Sequence, residues 1–562
     1  MPLKPIFDTA PLTAMNCQPL PAGLVRMDNA AMTRLYALTA DADAPAAMEG
    51  AFRLACMVTS KPTEEPVAAK IRALLSAQKE DGSFPASFKD SVGILRAVWA
   101  MYEYESRKPM LEPITRWCAY AVQHWDDLMG DDEIWAFSAD LLELLERLYR
   151  VTGKAAVLTL CERVTNQTLS WSGLLNTISS QRPTSKVVTK EELTAGLARE
   201  KGMREGYYTQ FYRAHHAESL ADGARSAMAK GWYSGSATEL NASRIGWERL
   251  SRYHGAVCGG LTSDELLEGT SPAAAVSTAA LGAWAEALSA ATMGDKADWA
   301  FNALERMAYN AMPACVTGDT LLAFQHVNTL SEGSDADACF DVSADHASRA
   351  MIRLVRGYAA LASSALTACA DGACINLYMP GRYAVPVGDD LLVFTVKASV
   401  RGANITVHCK QETEAAVRLR MPAWSRRTEI CVNGSSSHEE VKNGRLSIHR
   451  TWHDGDSISL TFDETLFVED GHHQGKCILC GPVLMALPAA GDGWQQALVS
   501  AAEEDNRVVA TLDAVKEWKR KGNLPADVPV LPETAGNPQR VGLVPYARAE
   551  GRIALFPGRK QA

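Results

Sequence analysis

The chain has 562 residues, 47% of them hydrophobic and 22% charged, with a formal net charge of −10. This is the composition of a globular chain long enough for two to four domains, and it excludes a disordered or fibrous protein. With no basic stripe to set against the acidic balance, it also excludes a nucleic-acid groove, which needs a concentrated Lys/Arg field.

Residues 1–30 break each short apolar stretch with Pro or polar groups, so they read as an extension without the apolar core of a secretory signal. No later run reaches the roughly 18 uncharged apolar residues of a membrane span. A cytoplasmic protein is therefore expected, with its 13 scattered cysteines as reduced, mostly buried thiols.

Helical periodicity dominates from there to residue 370. Apolar positions recur at helix spacing over 66–78, 91–104 and 138–153, and again over 192–230, 237–254, 272–293, 296–311 and 343–368. At least ten helices are expected, and pairs in that number suggest an (α/α)6 barrel over residues 31–370 rather than a four-helix bundle. Beyond residue 374 the period falls to two, β-branched residues take over, and Gly-Asp, Asn-Gly and Pro punctuate short runs. An antiparallel β-sandwich is expected over 374–500, with 501–562 packing back on the sandwich or the barrel.

Several motifs in order carry a specific resemblance. YHGAVCGGLTSDELLEGTSP (253–272) and WAFNALERMAYNAMPA (299–314), with HHAESLADGAR (215–225) upstream and INLYMPG, LRMPAWS, VNG and LVPYARAEGRIALFP downstream, resemble glycoside hydrolase family 127, the β-L-arabinofuranosidases. The resemblance covers roughly three quarters of the chain. It implies an (α/α)6 barrel whose site uses a glutamate as acid/base and a zinc-held cysteine thiolate as nucleophile.

Carried over residue by residue, the resemblance puts Glu265 at the acid/base position and Cys339 at the nucleophile. At the remaining three zinc-ligand positions stand Ser277, Ala279 and Phe340, so no zinc or other cofactor is expected there. Without a metal to ionise Cys339, Asp341 or Asp345 could supply a carboxylate instead. His216, His254, Gln325 and Asn328 resemble sugar-contacting positions, and Glu265, His254 and His216 are expected to line one cavity. Each has a plainer reading: a surface acid for Glu265, a packed thiol for Cys339, hydrogen-bonded core residues for the histidines and amides. Trp135, Trp171 and Trp247 could stack on a sugar or fill the core. Cys477 and Cys480 form a CxxC without a second pair at ligand spacing.

The expectation is a divergent hydrolase of a small furanoside or related glycoside. The alternative is a catalytically silent carbohydrate-binding relative. The expected partner is a small carbohydrate, with neither nucleic acid nor membrane, and the oligomeric state stays open.

Overall fold

The computed structural model describes residues 17–557 except 40–41, 59–63, 129–133, 179, 204–205, 272–273, 295–296, 319, 329–345, 438, 464–465, 473–474, 489–496, 505–506, 515–542 and 550. Thirteen helices organise the first two thirds: α1 (Ala30–Thr39), α2 (Pro45–Met57), α3 (Glu64–Ser76), α4 (Phe88–Glu105), α5 (Leu111–Gln123), α6 (Ile134–Thr152), α7 (Ala155–Gln167), α8 (Tyr207–His215), α9 (Ala217–Ser234), α10 (Ala237–His254), α11 (Thr278–Ala291), α12 (Asp298–Arg306) and α13 (His346–Ala365). Further helices lie between some of them. Helices α2, α4, α6, α9, α11 and α13 touch in that order and α13 returns to α2, which closes an inner ring of six. Helices α1, α3, α5, α7, α10 and α12 pack outside, completing an (α/α)6 barrel.

Burial distinguishes the rings. All but two of the 18 residues of α9 and all but one of the 14 of α11 are buried, because an inner helix meets neighbours on every side. The closest approach is between α11 and α13, where a Cβ on Gly282 would run into the Arg353 carbonyl and one on Gly357 into Gly282 itself. The helical span expected over 192–230 is three helices, Lys190–Arg199, α8 and α9, with α8 meeting α9 at His216, whose ring faces the Ser219 N–H as an N-cap. The helix expected from 272 starts at Thr278, because Ser277 caps it.

The barrel axis is filled by ions rather than by aliphatic side chains. Glu49 of α2, Arg96 of α4, Asp140 and Glu143 of α6, Asp222 and Arg225 of α9, Glu286 of α11, and Arg353 and Arg356 of α13 all converge there. Arg225, almost fully buried, reaches Asp140 at 2.7 Å, Asp222 at 2.6 Å and Glu143 at 2.9 Å. Arg356 spans Asp140 at 2.6 Å and Glu286 at 2.8 Å. Burial alone would raise the Glu49 carboxyl, but Arg96, Arg53 and Arg356 overcome it and hold the group at about 2.

The remaining third is a sandwich whose edges begin at the start of the chain. Its strands are β1 (Gln18–Pro19), β2 (Val25–Met27), β3 (Leu366–Cys369), β4 (Gly372–Ile375), β5 (Gly381–Val387), β6 (Asp390–Ser399), β7 (Gly402–His408), β8 (Thr413–Arg420), β9 (Thr428–Val432), β10 (Ser435–Ser436), β11 (Val441–Lys442), β12 (Arg445–Trp452) and β13 (Ser457–Phe462). One sheet runs β1-β3-β4-β8-β12-β11 and the other β10-β9-β13-β7-β6-β5-β2. All of these pairings are antiparallel except β4 with β8. Part of the segment read as an extension is thus woven into both sheets. A third sheet, built on 466–488, takes strands from 544–557. Arg420 of β8 ties sandwich to barrel through Glu305 of α12 at 2.8 Å. Among the described residues no helix is long and apolar enough to cross a membrane.

Removing one partner from the axial cluster should cost far more than removing a surface ion. Arg225→Met leaves Asp140, Asp222 and Glu143 undercompensated and should lower stability by about 3–5 kcal/mol. Arg244→Met, which breaks an exposed pair with Glu248, should cost about 1 kcal/mol or less. Glu49 and Asp222 have depressed folded-state pKa values, so their contribution is present above the ordinary carboxylate range and is lost as pH falls through the folded values. Denaturant melts of both variants, and of the parent at descending pH, check all three statements.

Candidate functional site

The acidic loop after α10 is built by its own side chains. The Asp264 carboxylate accepts the N–H groups of Glu265 at 2.7 Å and Leu266 at 3.1 Å, a local turn of the kind Asp favours. Leu267 N–H then bonds the His215 carbonyl and Ala217 N–H bonds the Glu265 carbonyl, at 3.0 and 3.1 Å. These bonds clip the loop against the α8–α9 junction, and so Glu265 meets His216 across 49 residues of sequence.

Glu265 is 3% exposed, yet its carboxylate is well supplied with donors. The Tyr212 hydroxyl donates to Oε1 at 2.8 Å, Arg349 of α13 lies at 3.4 Å, and His216 Nε2 at 3.6 Å. Burial, and then the Glu265 charge, raise the Tyr212 phenol well above its ordinary value, so it stays a donor. His216 Nδ1 faces the Ser219 N–H at 3.2 Å and the Ser219 hydroxyl at 2.8 Å, while Nε2 faces Arg349 at 3.3 Å and the carboxylates. A second acid, Glu218, binds Arg349 and lies 3.9 Å from the same Nε2. Being 3.6 and 3.9 Å from one nitrogen, Glu265 Oε1 and Glu218 Oε1 are at most 7.5 Å apart.

Beside this group opens a cavity of about 240 Å³, lined among others by Tyr212, Arg213, His216, Glu218, Asp222 and Arg349. Its floor is the axial ion cluster, since Glu49, Arg96 and Arg356 also line a second cavity, of about 130 Å³. Glu265 itself stands one contact behind the wall, screened by Tyr212, His216 and Arg349.

The other residues singled out from the sequence lie elsewhere. His254 is fully buried; its Nδ1 accepts the Gly269 N–H at 2.9 Å and its Nε2 faces the Ser180 carbonyl at 3.1 Å, so it fastens the far end of the acidic loop instead of lining the cavity. Gln325 bonds the Ala311 carbonyl at 2.6 Å and the Cys315 thiol at 3.2 Å. Asn328 holds the C-terminal tail, donating to the Leu555 carbonyl at 2.9 Å and accepting Ala554 and Leu555 N–H groups at 2.8 and 3.0 Å. Both amides are engaged with the protein itself. Cys339, Phe340, Asp341 and Asp345 lie outside the described residues, as does the Trp135 side chain. Trp171 packs on Gly223, and Trp247 against Trp284 at 5.0 Å, so both fill helix contacts. Cys477 and Cys480, three apart on one strand, point to opposite faces and form no chelate.

Zinc, which the resemblance implies, finds a poor fit in the barrel. Ser277 Oγ is engaged in capping α11, accepting the Ala280 N–H at 3.3 Å, and Ala279 offers no donor atom. Three residues of the assembled site were not singled out beforehand. Tyr212 stands four residues before His216 and Glu218 two after it in FYRAHHAES, a signal available from the ring at helix spacing and the carboxylate close by. Arg349, 84 residues beyond Glu265, gave none.

The loop's dependence on His254 should show in its pH response. Burial lowers this imidazole from 6.5 to about 4, so the neutral ring is the folded form. Its contribution is whole above the unfolded value and is lost as pH falls from 6.5 towards 4. Amide exchange of residues 262–270, corrected for intrinsic pH effects, should accelerate over that window and be fast at all pH values in His254→Ala.

Comparison with known proteins bears on this geometry. Residues 372–464 match the family model of the β-L-arabinofuranosidase GH127 middle domain. No curated protein sequence matches the chain. A solved structure described as a glycoside hydrolase superposes with a TM-score of 0.70 at 13% identity, covering 99% of this chain and 100% of its own. A GH127 β-L-arabinofuranosidase from Geobacillus stearothermophilus T6 gives 0.64 at 16% identity over 93% of this chain and 90% of its own. A further GH127 β-arabinofuranosidase gives 0.61 at 14%, over 97% and 98%. The chain thus shares the fold of these GH127 structures, and its residues 372–464 match the GH127 middle-domain model.

Proposed function

We propose that the protein hydrolyses the glycosidic bond of a small furanoside or related glycoside at the barrel end where Glu265, Glu218, His216 and Tyr212 meet. The observation that carries this reading is the pair of carboxylates no more than 7.5 Å apart beside a cavity of sugar size. Glycosidases work with two carboxyl groups separated by roughly 5–9.5 Å, one passing a proton to the leaving oxygen and the other attacking or activating water. In this reading Glu265 is the general acid/base, with Glu218 as the second carboxylate, and Cys339 and Asp341 are further candidates for the attacking group. Substrate entry must turn Arg349 and Tyr212 aside from Glu265. No step passes through zinc.

A second reading, a carbohydrate-binding relative without turnover, is favoured by one observation. The Glu265 side chain has no exposed surface, so a sugar could fill the cavity without touching it.

A panel of nitrophenyl glycosides, furanosides included, separates the two. Hydrolysis that falls by about 100-fold or more in Glu265→Gln and in Glu218→Gln, with circular dichroism unchanged, supports the enzyme. Turnover indifferent to both substitutions overturns the assignment of the pair. Absence of turnover across the panel, with pentose binding that Glu265→Gln leaves intact, supports the binding protein.

A further inference from the structure

Far from the barrel site, three thiols meet on one face of the first sandwich sheet. Register brings them there: Gln18 and Pro19 of β1 pair with Ala368 and Thr367 of β3, so Cys17, one residue ahead of β1, falls beside Cys369, and Cys374 of β4 stands opposite Thr367. The Sγ atoms are 3.0 Å apart for Cys369 and Cys374, 3.3 Å for Cys17 and Cys369, and 3.7 Å for Cys17 and Cys374. Cys369 and Cys374 are buried and Cys17 is half-buried. Among the described residues this is the one group of His, Cys, Asp or Glu side chains arranged to hold an ion.

We propose that Cys17, Cys369 and Cys374 form a binding site for one thiophilic d10 cation, zinc(II) or copper(I). The geometry carries the proposal. Metal–sulfur bonds of about 2.3 Å place sulfurs near 3.8 Å apart, so the present triangle needs to open by less than an ångström. Soft thiolates select these cations over magnesium or calcium. Two cations stand nearby: Arg418 of β8, in register with Cys374 and paired with Asp371 at 2.6 Å, and Arg445 of β12. Loading breaks three S–H bonds and forms three S–metal bonds, and up to three protons pass to solvent with no change of oxidation state. The site is separate from the family's barrel position at Ser277 and Ala279.

The test uses the full chain, reduced and chelator-stripped under anaerobic conditions. It is titrated with cobalt(II), as the spectroscopic stand-in for zinc(II), and separately with copper(I) against a chromophoric chelator. One equivalent with a thiolate-to-cobalt charge-transfer band, or one equivalent of copper(I) held against the chelator, is expected, and which arm succeeds identifies the cation. Cys17→Ser, at a half-buried position that leaves the core intact, should weaken binding by at least ~100-fold. Cys431→Ser and Cys339→Ser should leave it unchanged. The proposal is overturned by binding no tighter than about 10 μM to the parent, by binding indifferent to Cys17→Ser, or by binding lost in Cys339→Ser. It is equally overturned if mild oxidant removes two mass units from a protein that takes up neither ion, since the thiols would then be a disulfide pair with a neighbour.

Discussion

The buried ion cluster on the barrel axis is the constraint around which the rest is arranged. Six inner helices cannot close on an empty centre, and this chain fills it with guanidinium and carboxylate groups. Taking such groups from water costs several kcal/mol each, and only a nearly complete set of partners offsets it. Each inner helix must therefore present its charged residue at one level, so the register of all six is set together. The cluster also divides the interior: the cavities on its two sides share Glu49, Arg96 and Arg356 as a common wall. A ligand entering beside His216 meets a floor, not a channel.

The candidate site continues this same network outward. Arg353 bonds Asp222 within the cluster and Glu218 at its edge, and Arg349, one turn earlier on α13, bonds Glu218 and Glu265. One helix thus carries the ionic chain from the axis to the acidic loop. The position of Glu265 is over-determined, by the Asp264 turn and the backbone clip to α8 and α9 on one side and by Arg349 on the other. Glu268, the third acid of the loop, lies apart, pushed up to about 8 by burial and then by Asp264, which makes it a neutral neighbour near pH 7.

Much of the architecture could be read from the sequence because periodicity records burial directly. The change of period near residue 370 falls where α13 gives way to β3, and Ser277 and Gly206 mark breaks that the helical pattern alone ran through. The axial cluster was not legible. Glu49, Arg96, Asp140 and Arg225 sit on helices whose polar residues look, in one dimension, like solvent-facing stripes. Only ring closure turns them inward. Strands of two or three residues such as β1 and β2 are too short to show alternation. At the site, His216 and Glu265 lie 3.6 Å apart although only His216 lines the cavity, whereas His254, Gln325 and Asn328 bond backbone groups that no sequence pattern announces. Arg349 was hidden because its helix contributes through three-dimensional proximity alone.

The pairing of β1 and β2 with β3 and β5 has a consequence for how the molecule is made. Cys17 and Cys369 touch across 352 residues, and α2 cannot complete the ring until α13 exists. At roughly 5–20 residues per second on the ribosome, the first strands wait some tens of seconds for their partners. During that interval Val25 and Met27 have α2 to pack against, but the edges of β1 and β2 stay unpaired and the open flank of α2 lacks α13. Vectorial synthesis therefore yields an open arc of helix pairs first, and the last inner helix together with the first sandwich strands acts as the clasp that turns it into a ring.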